Sequence, residues 1–135
     1  MKRANPRAGN RKKNEPVTYE AAREIALALP GVEESTSYGT PACKVKGKLF
    51  LRMHQDGDSL VVRIDLAERE SLMEADPETF YITDHYLNYP WILVRLAKVR
   101  QDQLSELLKQ AWRLAAPRRL LAEVDGLPDQ FGKVN

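Results

Sequence analysis

The chain has 135 residues, of which 43% are hydrophobic and 30% are charged, and these values suit one globular domain with a single buried core. Its one cysteine, Cys43, excludes an internal disulfide. The chain has no apolar run near the about 18 residues that a membrane span needs, and no apolar segment follows its basic N-terminus. These features predict a cytoplasmic protein that does not contact the membrane.

The N-terminal arm, residues 1–16, concentrates positive charge. It holds six lysines and arginines against one acidic residue, Glu15, whereas the rest of the chain holds 15 basic and 18 acidic residues. With two prolines, one glycine and no apolar cluster, the arm is predicted to be disordered when free. It could bind phosphate without sequence preference or serve as a solubilising extension. The mildly acidic remainder argues against a domain that is strongly basic throughout.

The first elements follow from local signals. Apolar residues at helical spacing after a potential cap, Thr18, predict a helix that ends at Pro30-Gly31. Turn dipeptides at Lys46-Gly47 and Asp56-Gly57 predict hairpins. The three strands that these turns join are predicted at residues 42–45, 48–54 and 59–64.

The second half of the chain contains two more predicted helices and two more strands. Asp65 and Glu68 resemble a capping box, which predicts a helix over residues 66–75. Strands are predicted at residues 80–82 and 91–96. In the stretch TDHYLNYPWILVRL, residues 83–96, the side chains alternate between the two sides only from Trp91 onward, so the part before Trp91 is predicted to be a loop between these strands. Asp102 is the predicted cap of a third helix, which Pro117 ends.

The predicted order of elements is α-β-β-β-α-β-β-α, which favours the α+β class: an antiparallel sheet with helices on one face, a two-layer α/β sandwich. This domain covers residues 17–123, and residues 124–135 form a tail. Strict alternation assigns Leu49, Leu51 and Met53 to the helix side of the sheet. The opposite, open face is predicted to carry Lys48, Phe50, Arg52, Arg63, Trp91 and Arg95.

Three stretches carry a family resemblance: SYGTPACKVKGKLF, ADPETFYITDHYLNYPWILVRL and QAWRLAAPRRLLAE. With a K-x-x-G-K hairpin, an aromatic loop that ends in PWILVRL and a late A-W-R-x-x-A-P helix, the chain resembles the MmcQ/YjbR family over about residues 17–123. The resemblance implies a small α+β domain with the element order above. The family is often labelled DNA-binding, because its hairpins were likened to a double wing, an analogy that does not fix function.

Few residues could support catalysis. His54 and His85 are the only imidazoles and Cys43 is the only thiol, and the sequence lacks paired C-x-x-C, H-E-x-x-H and glycine-rich nucleotide motifs. We therefore predict no catalytic residue, no metal site and no cofactor. An enzyme or small-ligand site at the loop of residues 84–91 stays an alternative, in which His85, Tyr86 and Tyr89 would take part.

The favoured interpretation is a non-enzymatic module that binds DNA or another nucleic acid. Basic residues around the first hairpin and mixed arginines and aromatics on the open face suit phosphate contacts and base stacking. The alternatives are a protein partner or a homodimer contact through the same face, or an ordinary solvated surface. The candidate nucleic-acid-binding residues are Lys44, Lys46, Lys48, Phe50, Arg52, Arg63, Trp91 and Arg95.

Overall fold

The structure is a computed structural model that describes residues 16–126. The strands are β1 (Val32–Ser37), β2 (Thr40–Val45), β3 (Lys48–Met53), β4 (Ser59–Arg63), β5 (Phe80–Tyr81) and β6 (Trp91–Arg95). The helices are α1 (Tyr19–Leu27), α2 (Leu66–Ala75), α3 (Gln101–Ala115) and α4 (Arg118–Val124). The predicted arm, apart from Pro16, and most of the predicted tail lie outside the described residues.

One six-stranded antiparallel sheet, in the order β1-β2-β3-β4-β6-β5, organises the molecule. Helix α3 packs on β3 and β4, α1 on β1 and β2, and α2 lies against β5 and β6. The predicted α+β class is thereby confirmed.

Local signals account for the ends of the helices and for the tightest turns. The Thr18 hydroxyl accepts a hydrogen bond from the Ala21 amide at 3.1 Å, which caps α1 as predicted. The β2–β3 turn places Lys46 at φ 50° and Gly47 at φ 85°, the left-handed geometry of a two-residue hairpin turn. Asp65 caps α2 as predicted. Helix α3 begins at Gln101, so the predicted cap Asp102 lies inside the first turn instead.

The predicted element order lacks β1 and α4, and this part of the prediction is wrong. Strand β1 reads VEESTS, which has no apolar alternation because the strand lies at the sheet edge and half of it faces solvent. Pro117 does end α3, but it also stands at the N-cap position of α4, where its missing N–H costs nothing. Leu120 and Leu121 of α4 then pack against the core.

Phe50 is the one candidate binding residue that the structure buries in the core. Leu51 pairs with Cys43 and Leu49 with Lys44, so Phe50 is an extra residue in β3, a β-bulge. Phe50 (0% exposed) and Leu51 both pack in the main core, whereas Leu49 lines a pocket on the opposite face. The predicted positions of Phe50 and Leu49 are therefore wrong, because strict alternation does not survive a bulge.

The main core lies between the sheet and the helices. Its largest fully buried side chains include Leu51, Leu60 and Ile92 from the strands, and Leu104 and Leu108 from α3. This arrangement leaves the other face of the sheet to the loops. Within residues 16–126, no helix is both long and apolar enough to cross a membrane.

Candidate functional site

The face of the sheet opposite the helices is partly covered by residues 83–90, here called the aromatic loop. Tyr86 of this loop is buried and packs on Val61 of β4 and Leu93 of β6. Residues Asp84–Tyr86 form a turn of 3-10 helix, closed by the Tyr86 amide donating to the Thr83 carbonyl at 2.9 Å. The loop thus builds a second, small core on the face that the sequence predicted to be open.

Arg69 of α2 holds the aromatic loop in place. Its side chain is 3% exposed, and its Nη1 donates to the carbonyls of Tyr86, Tyr89 and Trp91 at 3.0, 2.8 and 3.1 Å. Nη2 donates to the Leu87 carbonyl at 2.9 Å. Because the planar guanidinium presents its donors in a fixed fork, one side chain sets the path of six residues.

A pocket of about 320 Å³ lies between the aromatic loop and the β1–β2 turn. Apolar side chains of β3 and β4 contribute to it, and aromatic side chains from the loop and the turn surround them. A neighbouring depression of about 270 Å³ shares Tyr38, Arg52, His85 and Tyr86 with it. The residues that line the pocket are Tyr38, Leu49, Arg52, Val61, His85, Tyr86, Tyr89 and Trp91.

Among the described residues that line this pocket, Arg52 is the only charged side chain apart from the titratable His85. It is 4% exposed, and its Nη1 donates to the Met53 carbonyl at 3.1 Å and to Gln55 Oε1 at 3.3 Å, with a longer contact of 3.4 Å to Thr40 Oγ1. Nη2 donates to the Tyr86 hydroxyl. All of these partners are neutral.

No carboxylate among residues 16–126 forms an ion pair with Arg52. Buried charges in proteins are usually paired, because a charge removed from water costs free energy that neutral hydrogen bonds recover only in part. The Arg52 guanidinium therefore makes the pocket electropositive and able to attract an anion or a group rich in hydrogen-bond acceptors.

The rim of the pocket is aromatic and accessible. Tyr38 is 78% exposed and Tyr89 is 56% exposed, and the Arg52 guanidinium carbon lies 5.2 Å from the centre of the Tyr38 ring. His85 meets Tyr86 edge to face, with ring centres 4.8 Å apart. Exposed rings of this kind can stack on a planar ligand.

Two further predicted arginines lie on the same face but outside the pocket. The Arg63 guanidinium lies 5.8 Å from the centre of the Trp91 ring. The Arg95 guanidinium carbon lies 3.9 Å from the centre of the Tyr81 ring, and Arg95 Nη1 donates to the Glu78 carbonyl at 2.9 Å. Because Arg95 already donates to carbonyls of the protein, it would act on a ligand mainly through its positive charge.

The predicted lysines stand apart from the pocket. Lys44 is half-buried on β2, opposite Glu33 of β1. Lys46 and Lys48 are exposed at the β2–β3 turn. The structure therefore brings Arg52, Trp91 and the three predicted loop residues together, and leaves the lysines on β2 and at the β2–β3 turn.

The arrangement offers little for catalysis. His85 is exposed, and no serine or cysteine of the described residues lines either depression at its side. Burial raises the pKa of the Cys43 thiol, so the thiol stays protonated, and therefore a poor nucleophile, at neutral pH. The part of the chain that the structure describes contains no group of three or more residues able to hold a metal ion.

A larger groove of about 600 Å³ runs between α2 and α3. Three of its charged residues have roles within the fold: Asp65 caps α2, and Arg100 pairs with Asp102 at 3.1 Å. Arg63 of β4, beside the Trp91 ring, lines the groove as well. Glu68 and Glu106 add negative charge to its walls. Within residues 16–126, this groove has no buried cation without an ion pair, which is the feature that distinguishes the pocket on the opposite face.

Sequence reasoning missed Tyr38, Leu49 and Arg69. A signal existed for Tyr38, because Tyr-Gly between two short polar runs is a candidate hairpin turn. The bulge at Phe50 conceals the position of Leu49. Arg69 lies in the middle of a charged helix, LAERESLMEA, and nothing local distinguishes it from an ordinary exposed arginine.

Comparisons with known proteins agree with the fold. A family model described as YjbR matches residues 27–114, which confirms the predicted resemblance. Uncharacterised proteins of Mycobacterium bovis and of two Mycobacterium tuberculosis strains are each 36% identical over 66 residues, 48% of this chain and 51% of the relative. The chain thus spans about half the length of the curated relatives it matches. A crystal structure of a Deinococcus radiodurans protein with a DUF419 domain is similar, with a TM-score of 0.68, 25% identity and coverage of 84% of this chain and 91% of that chain.

Proposed function

Because this chain belongs to the YjbR family and its mycobacterial relatives are uncharacterised, its function has to be inferred from its site, and we propose that it is a non-enzymatic nucleic-acid-binding module. The ligand contacts the sheet face that carries the pocket and Arg63. A reducing cytoplasm suits a protein whose single cysteine is a buried free thiol.

The observation that carries this proposal is the buried Arg52 guanidinium, which has no carboxylate partner among residues 16–126 and lies beside accessible aromatic rings. A phosphate would supply the negative charge that no described residue places beside Arg52, and a base edge would supply further acceptors. Tyr38 and Tyr89 would supply stacking surfaces. Cations for the backbone and rings for the bases are the combination that nucleic-acid surfaces use.

The positive charges on both sides of the pocket support binding of a nucleic-acid strand across it. Arg63 and Arg95 stand near opposite ends of the β4–β6 pair, since Arg63 is opposite Trp91 and Arg95 is opposite Ser59. Lys46 and Lys48 add charge at the β2–β3 turn. An extended backbone that crosses the pocket would remain within reach of positive charge on either side.

The test is a set of neutralising variants assayed by fluorescence anisotropy with a labelled single-stranded oligonucleotide. Arg63→Gln and Arg52→Gln should each weaken binding by about ten- to a hundredfold, because a charge-assisted hydrogen bond contributes roughly 1.5–3 kcal/mol. Arg119→Gln removes the same charge from the exposed surface of α4 and should bind like the parent. Thermal melts would establish that each variant is folded. The proposal fails if both pocket-side variants bind as tightly as Arg119→Gln.

A subunit contact through the same face is the second candidate function. Tyr38, Leu87 and Tyr89 are large apolar or aromatic side chains more than half exposed on this side, and tyrosine is enriched in protein interfaces. Sedimentation of the same variants separates the two functions. A dimer that dissociates in Tyr89→Ser, with no nucleic acid bound by the parent, would favour the subunit contact.

A further inference from the structure

The pocket is a recess rather than a flat platform. Its volume of about 320 Å³ lies at the small end of ligand pockets, which span about 300–1,000 Å³. The aromatic loop forms one wall, with Tyr89, and the β1–β2 turn forms the other, with Tyr38. Leu49 and Val61 give the recess an apolar lining. One planar ring system fits such a space, whereas a stack of paired bases does not.

Two polar groups in the recess, the Tyr86 hydroxyl and Arg52 Nε, each have a hydrogen-bond donor that no described residue uses. The Tyr86 hydroxyl accepts from Arg52 Nη2, and its own hydrogen has no acceptor among residues 16–126. A guanidinium carries five N–H donors, and Arg52 Nε makes no hydrogen bond with any described residue. A ligand with acceptors, such as the carbonyl and ring-nitrogen edges of a nucleobase, would pair with these donors.

Tyr38 gives an independent reason to assign a ligand to this recess. It occupies the first position of the β1–β2 turn at φ 52°, a left-handed conformation that favours glycine or asparagine over tyrosine. Its ring is also 78% exposed, so it contributes little burial to the fold. Lys46 shows nearly the same φ in the other hairpin turn, so the point specific to Tyr38 is that a large exposed ring lies beside a buried cation, where it can contact a ligand.

We propose that this pocket receives one unstacked nucleobase, so that the ligand of the module is single-stranded nucleic acid and not a duplex. The inference rests on the proposed function and specifies its ligand. The base enters between Tyr38 and Tyr89, and its acceptors meet Arg52 and the Tyr86 hydroxyl. A duplex hides these edges within its pairs and would have to unpair a base to fill the recess.

Binding of a fluorescent thymidine oligonucleotide of about 15 nucleotides is measured alone and as the duplex with its complement. The single strand should bind at least about tenfold more tightly. Tyr38→Gly removes the ring and suits the left-handed backbone, so the variant keeps its fold. Tyr38→Gly should bind the single strand about tenfold more weakly than the parent does, so that its affinity for the single strand approaches its affinity for the duplex. Leu114→Ala, on the helix side, is the control and should keep the parent's ratio.

A second readout follows the pocket itself. Thymidine monophosphate should change the fluorescence of Trp91, which lines the pocket, while Trp112 is buried in the core and donates to the Pro30 carbonyl. Inorganic phosphate at the same concentration should change it little, because the recess selects the base.

The outcomes separate the two proposals. Equal affinity for single strand and duplex, weakened alike by Arg63→Gln, would overturn the base pocket and leave nucleic-acid binding intact. Binding of the mononucleotide without either oligonucleotide would overturn both and indicate a small-ligand site. If neither oligonucleotide nor mononucleotide binds, both proposals are wrong.

Discussion

At the scale of single residues, Arg52 and Arg69 are both buried but have different surroundings. Arg69 donates to four backbone carbonyls of residues 86–91, and its Nε has no partner in the described part of the chain. Arg52 has neutral side-chain and backbone partners and lines the pocket. We therefore assign Arg69 to the shape of the loop and Arg52 to the ligand.

The assignment of Arg69 predicts a large loss of stability on substitution. Arg69→Met leaves the carbonyls of Tyr86, Leu87, Tyr89 and Trp91 without their donor, so the free energy of unfolding should fall by about 3 kcal/mol. Urea denaturation monitored by circular dichroism measures this loss. Arg63→Met is the matched control and should lose about 1 kcal/mol or less, since its contact is one ring. Equal losses in the two variants would contradict the role of Arg69.

At the scale of elements, the bulge in β3 decides which residues face the helices. Phe50 and Leu51 turn to the same side and fill the space below α3, while Leu49 and Arg52 face the pocket. The bulge thus places a cation and an apolar residue side by side on one face. Strict alternation would have put Leu49 in the core and left no apolar lining at this position.

The bulge makes Phe50 a core residue, and this can be tested directly. Phe50→Ala should lower the free energy of unfolding by about 3–5 kcal/mol through the cavity it leaves. Binding of single-stranded oligonucleotide per folded molecule should be unchanged, because the ring does not reach the pocket. The measurement is a urea titration together with anisotropy under native conditions. A stable variant with weakened binding would return Phe50 to the binding face.

At the scale of the whole molecule, charge is distributed unevenly. The groove between α2 and α3 has an excess of carboxylates, including Glu68 and Glu106. The pocket on the other face contains Arg52 and, within residues 16–126, no carboxylate. The carboxylates of the groove disfavour a polyanion there, whereas Arg52 favours one at the pocket. The predicted arm, with six basic residues among residues 1–16, adds charge to this balance.

Deletion of residues 1–15 tests whether the arm takes part in binding. The deletion leaves Val17 in place, whose amide donates to the Leu96 carbonyl at 3.0 Å, so the domain should stay folded. Affinity for single-stranded oligonucleotide should fall, and the slope of log affinity against log salt should flatten by about 0.7 for each phosphate that the arm neutralises in the full chain. An unchanged slope would leave the arm as a solubilising extension. Salt titrations of the full chain and the truncated chain measure the difference.

Much of the fold was predictable because its signals are local. The Thr18 cap, the Lys46-Gly47 turn and the period of two after Trp91 depend on neighbours along the chain, and the structure contains all three. The same holds for α2 and for most of α3. The sequence by itself therefore determined the α+β class, the antiparallel hairpins and the family.

The candidate site depended on tertiary structure. The sequence singled out Arg52, Trp91 and the aromatic loop, but the pocket exists because Arg69, 17 residues before Tyr86 in the chain, holds that loop over the sheet. The turn that carries Tyr38 belongs to β1, an edge strand without apolar alternation that is stabilised by pairing with β2. Caps, turns and periods are properties of adjacent residues, whereas a bulge, an edge strand and a loop fixed by a distant guanidinium arise only from contacts between residues far apart in sequence.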